Sequence, residues 1–190
     1  ARTEATGYGA TYFVERMLAT RNLSFDGKRA CVSGSGNVAI YTMEKIIEFG
    51  GIITACSDSN GYIVDEDGID LGLMKEIKEV RRERISEYVS LKGGRSQYVE
   101  GGSIWNVPCD IAMPCATQNE LTGKDAKAHI ENGVIAVGEG ANMPSTPDAV
   151  RLFQEAGILF APGKAANAGG VATSALEMQQ NASRDSWSFQ

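Results

Sequence analysis

Positive charge is in short supply in this sequence: 18 lysines and arginines against 24 aspartates and glutamates leave 190 residues with a net charge of −6. A nucleic-acid surface needs clustered basic residues to displace counterions, so that class of partner is excluded. Long apolar runs are missing as well. No stretch approaches the roughly 20 residues that a membrane-spanning helix needs. The opening residues Ala1-Arg2-Thr3-Glu4 carry no apolar signal region, so no membrane partner and a cytoplasmic location are expected. Histidine occurs once, as His129 in the polar helical stretch Lys124-Asp125-Ala126-Lys127-Ala128-His129, where a solvated or satisfied surface position is expected rather than a catalytic one. The four cysteines, Cys31, Cys56, Cys109 and Cys115, form no CxxC pair and have no partner histidines beside them. No metal site is expected, and the thiols read as reduced.

What is present is the composition of an ordinary globular chain, 43% hydrophobic and 22% charged, long enough for one domain with a single substantial core. Short apolar runs alternate with longer helical segments, the pattern of a parallel sheet with crossover helices. Strands are expected at Arg29 to Ser33, Ile52 to Ser57, Asp110 to Pro114, Val134 to Val137 and Ile158 to Ala161. Helices are expected at Ala10 to Thr20, Val38 to Phe49, Asp70 to Leu91, Lys124 to Asn132, Pro147 to Ala156 and Gly169 to Gln180. Tyr62 to Asp65 reads as a short hairpin or loop, and Lys92 to Gly102 as an irregular connection. The expected fold class is α/β, a doubly wound Rossmann-like sheet in three α/β/α layers.

The turn Gly34-Ser35-Gly36-Asn37-Val38-Ala39 fits GxGxx(G/A) between an apolar strand and a helix. The first glycine permits a tight turn, the second lets backbone approach a pyrophosphate, and the small final residue allows helix and strand to pack closely. The following helix turns unpaired N–H groups and a partial positive charge toward the phosphates. These residues point to a dinucleotide. About 20 residues after the glycines the pattern places a ribose ligand, and Asp58 occupies that place. An acidic residue there favours NAD. Lys78, Arg81, Arg82 and Arg84 follow, however, and such cations hold a 2′-phosphate. Glutamates 76, 79, 83 and 87 interleave with them, as on a solvated helix face, so residues alone leave NAD and NADP open. Pro162-Gly163-Lys164-Ala165 is not a Walker motif: Gly157 stands one residue too far upstream, and Ala165 lacks the hydroxyl that magnesium needs. Three Asn-bearing loops, Met113 to Asn119, Gly138 to Pro144 and Pro162 to Ser174, each follow an expected strand, so they can converge on one crevice.

With these motifs in order, the chain resembles the cofactor-binding domain of hexameric, bacterial-type, NADP-dependent glutamate dehydrogenases, within the Glu/Leu/Phe/Val dehydrogenase superfamily. The resemblance runs end to end. It rests on Arg2 to Gly9, Gly34 to Ala39, Ser57-Asp58-Ser59, Pro114 to Asn119, Glu139 to Pro144 and Lys164 to Val171. It implies reversible oxidative deamination of L-glutamate to 2-oxoglutarate and ammonia. It places Thr6 and Asn167 at the nicotinamide carboxamide, with Gly34, Ser35, Gly36, Asn37 and Val38 at the pyrophosphate turn. Ala116 and Asn142 fall on the ribose–nicotinamide side. Ser174 is assigned to the distal carboxylate of glutamate, and Val171 to its carbon chain. For the 2′-phosphate it points to Ser59, Lys78 and Arg84, which tips the cofactor to NADP.

The family's catalytic lysine and aspartate belong to a substrate domain that the resemblance places before this one, so no catalytic residue is expected in residues 1–190. The chain is accordingly expected to be one domain of a longer two-domain enzyme, inactive by itself. A homohexamer is expected of the full-length enzyme, and the fragment can be monomeric. Two alternatives stand beside this reading: an NAD-linked branched-chain or aromatic amino-acid dehydrogenase domain, which Ser174 disfavours, and a non-catalytic dinucleotide sensor.

Overall fold

In the computed structural model, which describes residues 2–187, seven strands form one sheet in the order β4-β3-β2-β1-β5-β6-β7. The strands are β1 (Arg29–Val32), β2 (Ile52–Ser57), β3 (Gly61–Val64), β4 (Gln97–Glu100), β5 (Ile111–Met113), β6 (Ala136–Gly138) and β7 (Leu159–Ala161). β2, β1, β5, β6 and β7 run parallel, whereas β3 and β4 add an antiparallel edge. The helices are α1 (Arg2–Ala19), α2 (Asn37–Glu48), α3 (Leu71–Lys75), α4 (Glu87–Lys92), α5 (Gly123–Glu131), α6 (Pro147–Glu155), α7 (Gly163–Ala166) and α8 (Ala168–Ser183).

Strand side chains point alternately to the two faces, and the core divides accordingly. Val32, Ile53, Cys56, Ile111, Met113 and Ala136 pack with Val14 of α1, Met43 and Ile46 of α2, and Met74 of α3. Their neighbours Cys31, Ala112 and Val137, with Ala55 beyond the register shift at Thr54 in β2, pack on the other face with Trp105, Ala126 of α5 and Phe153 of α6. The expected α/β sheet flanked by helices is therefore what folds. None of the described helices is long and apolar enough to cross a membrane.

Four expectations need correction. Part of the Lys92–Gly102 connection is a strand, because β4 pairs with β3, which forms with β2 the hairpin that is one of the two readings of Tyr62 to Asp65. The helix expected to begin at Ala10 begins at Arg2. Gly7 and Gly9, which weaken an isolated helix, are here required by close packing. A Cβ on Gly7 would lie 2.7 Å from the backbone N of Thr42 and O of Val38 in α2, and one on Gly9 would lie 3.0 Å from Gly169 Cα in α8.

The helix expected over Asp70 to Leu91 is broken. After α3 the chain makes a π-helical turn, Glu76–Arg81, which ends at Arg82 with a left-handed φ of 57°. The apolar stripe explains the break: Met74 and Ile77 are buried, but one turn further stands Arg81, and burial resumes only at Ile85 and Tyr88. Finally, His129 is fully buried rather than solvated. The last turn of α5 carries it under the sheet, edge-on to Trp105 with centroids 5.6 Å apart. The four cysteines are all free and buried.

Candidate functional site

The chain adds β2 to β4 on one side of β1, then crosses to add β5, β6 and β7 on the other. The switch point lies between β1 and β5, where an open α/β sheet parts its loops and forms a crevice at the strands' carboxyl ends. The glycine turn sits there. Gly34 has φ +88°, and a Cβ on it would stand 3.2 Å from that of Ala116 on the opposite lip. Two serines hold the lips in place. Ser57 Oγ accepts the N–H of Gly34 at 2.9 Å, and Ser33 Oγ accepts that of Cys115 at 2.8 Å. Gly36 ends the turn as the N-cap of α2 with no side-chain cap, so the helix's first N–H groups are left without a side-chain partner. Asn37 and Gly36 are exposed there, and a Cβ at Gly36 would meet nothing within 4 Å.

Two cavities flank this turn and adjoin at Cys115 and Ala116, which line both; together they are called the trough. The first, about 590 Å³, runs from Gly34, Ser35 and Gly36 to Asp58, Ser59, Lys78 and Arg84. Arg84 Nη1 donates to Ser59 Oγ at 2.8 Å, and Lys78 Nζ donates to the carbonyl of Glu83 at 2.9 Å. Asp58 is turned inward. Its Oδ1 accepts the N–H groups of Asn60 (2.8 Å) and Gly61 (3.2 Å). Of the cationic side chains named from the sequence, only Lys78 and Arg84 line this cavity. Arg81 instead pairs with Glu76 at 3.1 Å.

The second cavity, about 660 Å³, gathers Thr6, Val38, Asn142, Asn167, Val171 and Ser174 from four separate segments. Asn167 Nδ2 donates to Asn142 Oδ1 at 2.8 Å and to the Ala141 carbonyl at 3.3 Å. Thr6 faces the start of α8, where a Cβ on Gly170 would strike its hydroxyl. Of the expected site residues, only Asn37 lines neither cavity. It stands just outside, on the first turn of α2.

Two carboxylates that sequence reasoning did not assign to the site hold its loops. Glu120 Oε1 accepts the N–H groups of Ala116 (3.0 Å) and Thr117 (3.2 Å), and burial raises its pKa above the usual glutamate value despite those bonds. Glu139, buried, accepts Gly163 N–H at 2.7 Å through Oε2 and Ser145 N–H at 3.3 Å through Oε1. It thereby ties the loop after β6 to the loop after β7. Cys115 lies at the junction of the cavities, but burial pushes its thiol up to about 12, so it is not a thiolate at neutral pH.

A glycine turn at a switch point, with polar loops converging on it, fits many nucleotide-binding enzymes. A family model narrows it: the Glutamate/Leucine/Phenylalanine/Valine dehydrogenase model matches residues 1–190. The chain belongs to that family. An NADP-specific glutamate dehydrogenase of Helicobacter pylori is 56% identical over 195 residues, covering 100% of this chain and 44% of the relative. An NAD(P)-specific glutamate dehydrogenase of Xylanibacter ruminicola is 57% identical over 189 residues, covering 98% of this chain and 42% of the relative. Among solved structures, Plasmodium falciparum glutamate dehydrogenase superposes with a TM-score of 0.92 at 45% identity, covering 98% of this chain and 40% of that one. The chain thus spans less than half the length of these relatives.

Proposed function

We propose that this member of the dehydrogenase family is the cofactor-binding part of an NADP-linked glutamate dehydrogenase, which interconverts L-glutamate with 2-oxoglutarate and ammonia. The observation that carries the reading is the trough formed by the two adjoining cavities. Its first end sets Ser59, Lys78 and Arg84 where a 2′-phosphate would be held, and its second end sets Thr6, Asn142 and Asn167 where a carboxamide would be oriented. NADP fits these residues in three respects. Gly34 and Gly36 leave backbone room for a pyrophosphate, two cations face the adenosine end, and amides that both donate and accept face the other. When bound, the nicotinamide supplies hydride acceptance and donation. The protein groups fix which ring face meets the substrate, and loops held by Glu139 keep those groups in register. Ser174 and Val171, on the first turns of α8, line the same end and suit the distal carboxylate and carbon chain of glutamate.

Deamination also needs a general base and a cation held against the α-carbon. The resemblance assigns these roles to a lysine and an aspartate of a separate substrate domain, so the chain is one domain of a two-domain enzyme. Taken alone it binds NADP(H) without turning over glutamate. Calorimetric titration of the chain with NADPH and NADH is the test. The Lys78→Ala/Arg84→Ala double variant should weaken NADPH by about 100-fold, two charge-assisted contacts being lost, and leave NADH within about twofold. Equal losses for the two cofactors would remove the NADP assignment, and glutamate turnover by the chain alone would remove the domain assignment.

A further inference from the structure

We infer that Asp58, whose place at the end of β2 reads as that of a ribose ligand, is instead the positioning residue of the 2′-phosphate pocket. The inference rests on the NADP reading above and concerns how that pocket is built. The Asp58 side chain is only 5% exposed. Oδ1 takes the N–H groups of Asn60 and Gly61, which closes the turn with Ser59 at its tip. Oδ2 takes the N–H of Ile85 at 3.4 Å and lies 3.9 Å from Arg84 Nη1. One carboxylate therefore pins both walls of the pocket, the β2–β3 turn that carries Ser59 and the segment after the π-helical turn that carries Arg84. The two walls then meet in the 2.8 Å bond from Arg84 to Ser59. Lys78 closes the third side by reaching over the turn to the Glu83 carbonyl, next to Arg84 in the chain.

This arrangement resolves a conflict of charge. A free carboxylate beside a bound phosphate would repel it at short range. Here the carboxylate, although it lines the cavity, is neutralised by Arg84 and has its oxygens taken by three loop N–H groups. The group of Asp58, Lys78 and Arg84 carries two positive charges against one negative, so one positive charge remains for the phosphate. The left-handed Arg82 and the π-helical turn set the chain direction that brings Ile85 N–H to Asp58.

The test compares adenosine 2′,5′-bisphosphate with AMP, titrated calorimetrically into the chain and its Asp58→Asn and Asp58→Ser variants. Asn and Ser each keep an oxygen for the Asn60–Gly61 turn, but they lose the acceptor for Ile85 and the charge beside Arg84. If Asp58 positions the pocket, both variants bind the bisphosphate about fivefold to tenfold more weakly and AMP within about twofold. The ratio is read within one folded sample, so general destabilisation does not mimic it, and either variant suffices should the other fail to fold. Tighter bisphosphate binding would show that Asp58 merely repels phosphate. Equal loss on AMP would show that it bonds the ribose. Either result overturns the inference. An Arg84→Ala arm separates this from the NADP reading: if that variant keeps full bisphosphate affinity, the pocket itself does not exist.

Discussion

His129 gives the sharpest stability prediction. It is fully buried, its Nε2 has no hydrogen-bond partner, and its Nδ1 lies 4.0 Å from Cys109 Sγ. Burial pushes its pKa down to about 4, against a small upward pull from Asp125 on the same helix. Above about pH 6.5 the imidazole is neutral in both folded and unfolded chains, and it costs nothing electrostatically. As pH falls through 6.5 the unfolded chain takes up a proton that the folded chain refuses, so stability drops until about pH 4, below which both are protonated. At about 1.4 kcal/mol per tenfold, the full window is worth roughly 3 kcal/mol. For a chain of this size that moves a urea midpoint by about 1 M. His129→Leu fills a similar volume and removes both the orphan nitrogen and the titration. Urea unfolding at pH 7 and pH 4.5 should show the variant at least as stable as the parent at pH 7. Its loss on acidification should be smaller by about 2 kcal/mol. Carboxylates titrate in both proteins and cancel in the comparison. Identical acid losses would mean that His129 is hydrated or paired, and would refute the reasoning.

Three further outcomes test the parts that hold the site. Gly7→Ala forces a Cβ to within 2.7 Å of the α2 backbone, where no side chain can yield; it should lose about 1–3 kcal/mol of stability, and an unchanged melting curve would show that α1 and α2 do not pack this closely. Glu139→Gln sets an amide N–H against one of the two backbone donors that Glu139 now accepts, so about 1–3 kcal/mol is lost. NADPH affinity should fall with it, because the loops of Asn142 and Asn167 loosen, whereas AMP affinity should hold; a loss on both would place the damage elsewhere. Trp105→Ala empties the packing over His129 and removes the indole bond to the Glu120 carbonyl (3.2 Å), at about 3–5 kcal/mol; urea unfolding measures it, and a cost below about 1 kcal/mol would show that the second core cluster does not depend on it.

The parallel strands and the glycine turn were legible because each needs a local pattern, a buried apolar run ending in GxG before an amphipathic helix. The antiparallel edge was legible only in part. The β2–β3 hairpin is local, as in Ser57 with Tyr62, but β4 owes its place to a partner strand more than 30 residues away, as in Tyr62 with Val99, which no local period reports. Glycine misled the reading at α1, since Gly7 and Gly9 lower helix propensity in isolation and are required only once α2 and α8 are in place. His129 misled it for the opposite reason. Three of the five residues before it are lysine or aspartate, yet the helix turns His129 inward toward Trp105. The residues assigned to the trough do meet, apart from Asn37 at its margin, because loops after parallel strands share one edge whatever their separation in sequence.

What the sequence did not disclose is how the loops stay open. Glu120, Glu139 and Asp58 are largely or fully withdrawn from solvent, and each accepts at least two backbone N–H groups. Ser33 and Ser57 each accept one across the glycine turn. Each such bond satisfies a loop N–H that has no strand or helix partner, at a place where an unpaired donor would be costly. The trough is therefore preformed by side chains that face into the loops, leaving Lys78, Arg84, Asn142 and Asn167 at the opening. An acidic residue at the edge of the proposed phosphate pocket is thus compatible with anion binding when its lone pairs are already taken. A sequence rule that reads Asp58 by residue type alone counts its charge and overlooks its hydrogen bonds.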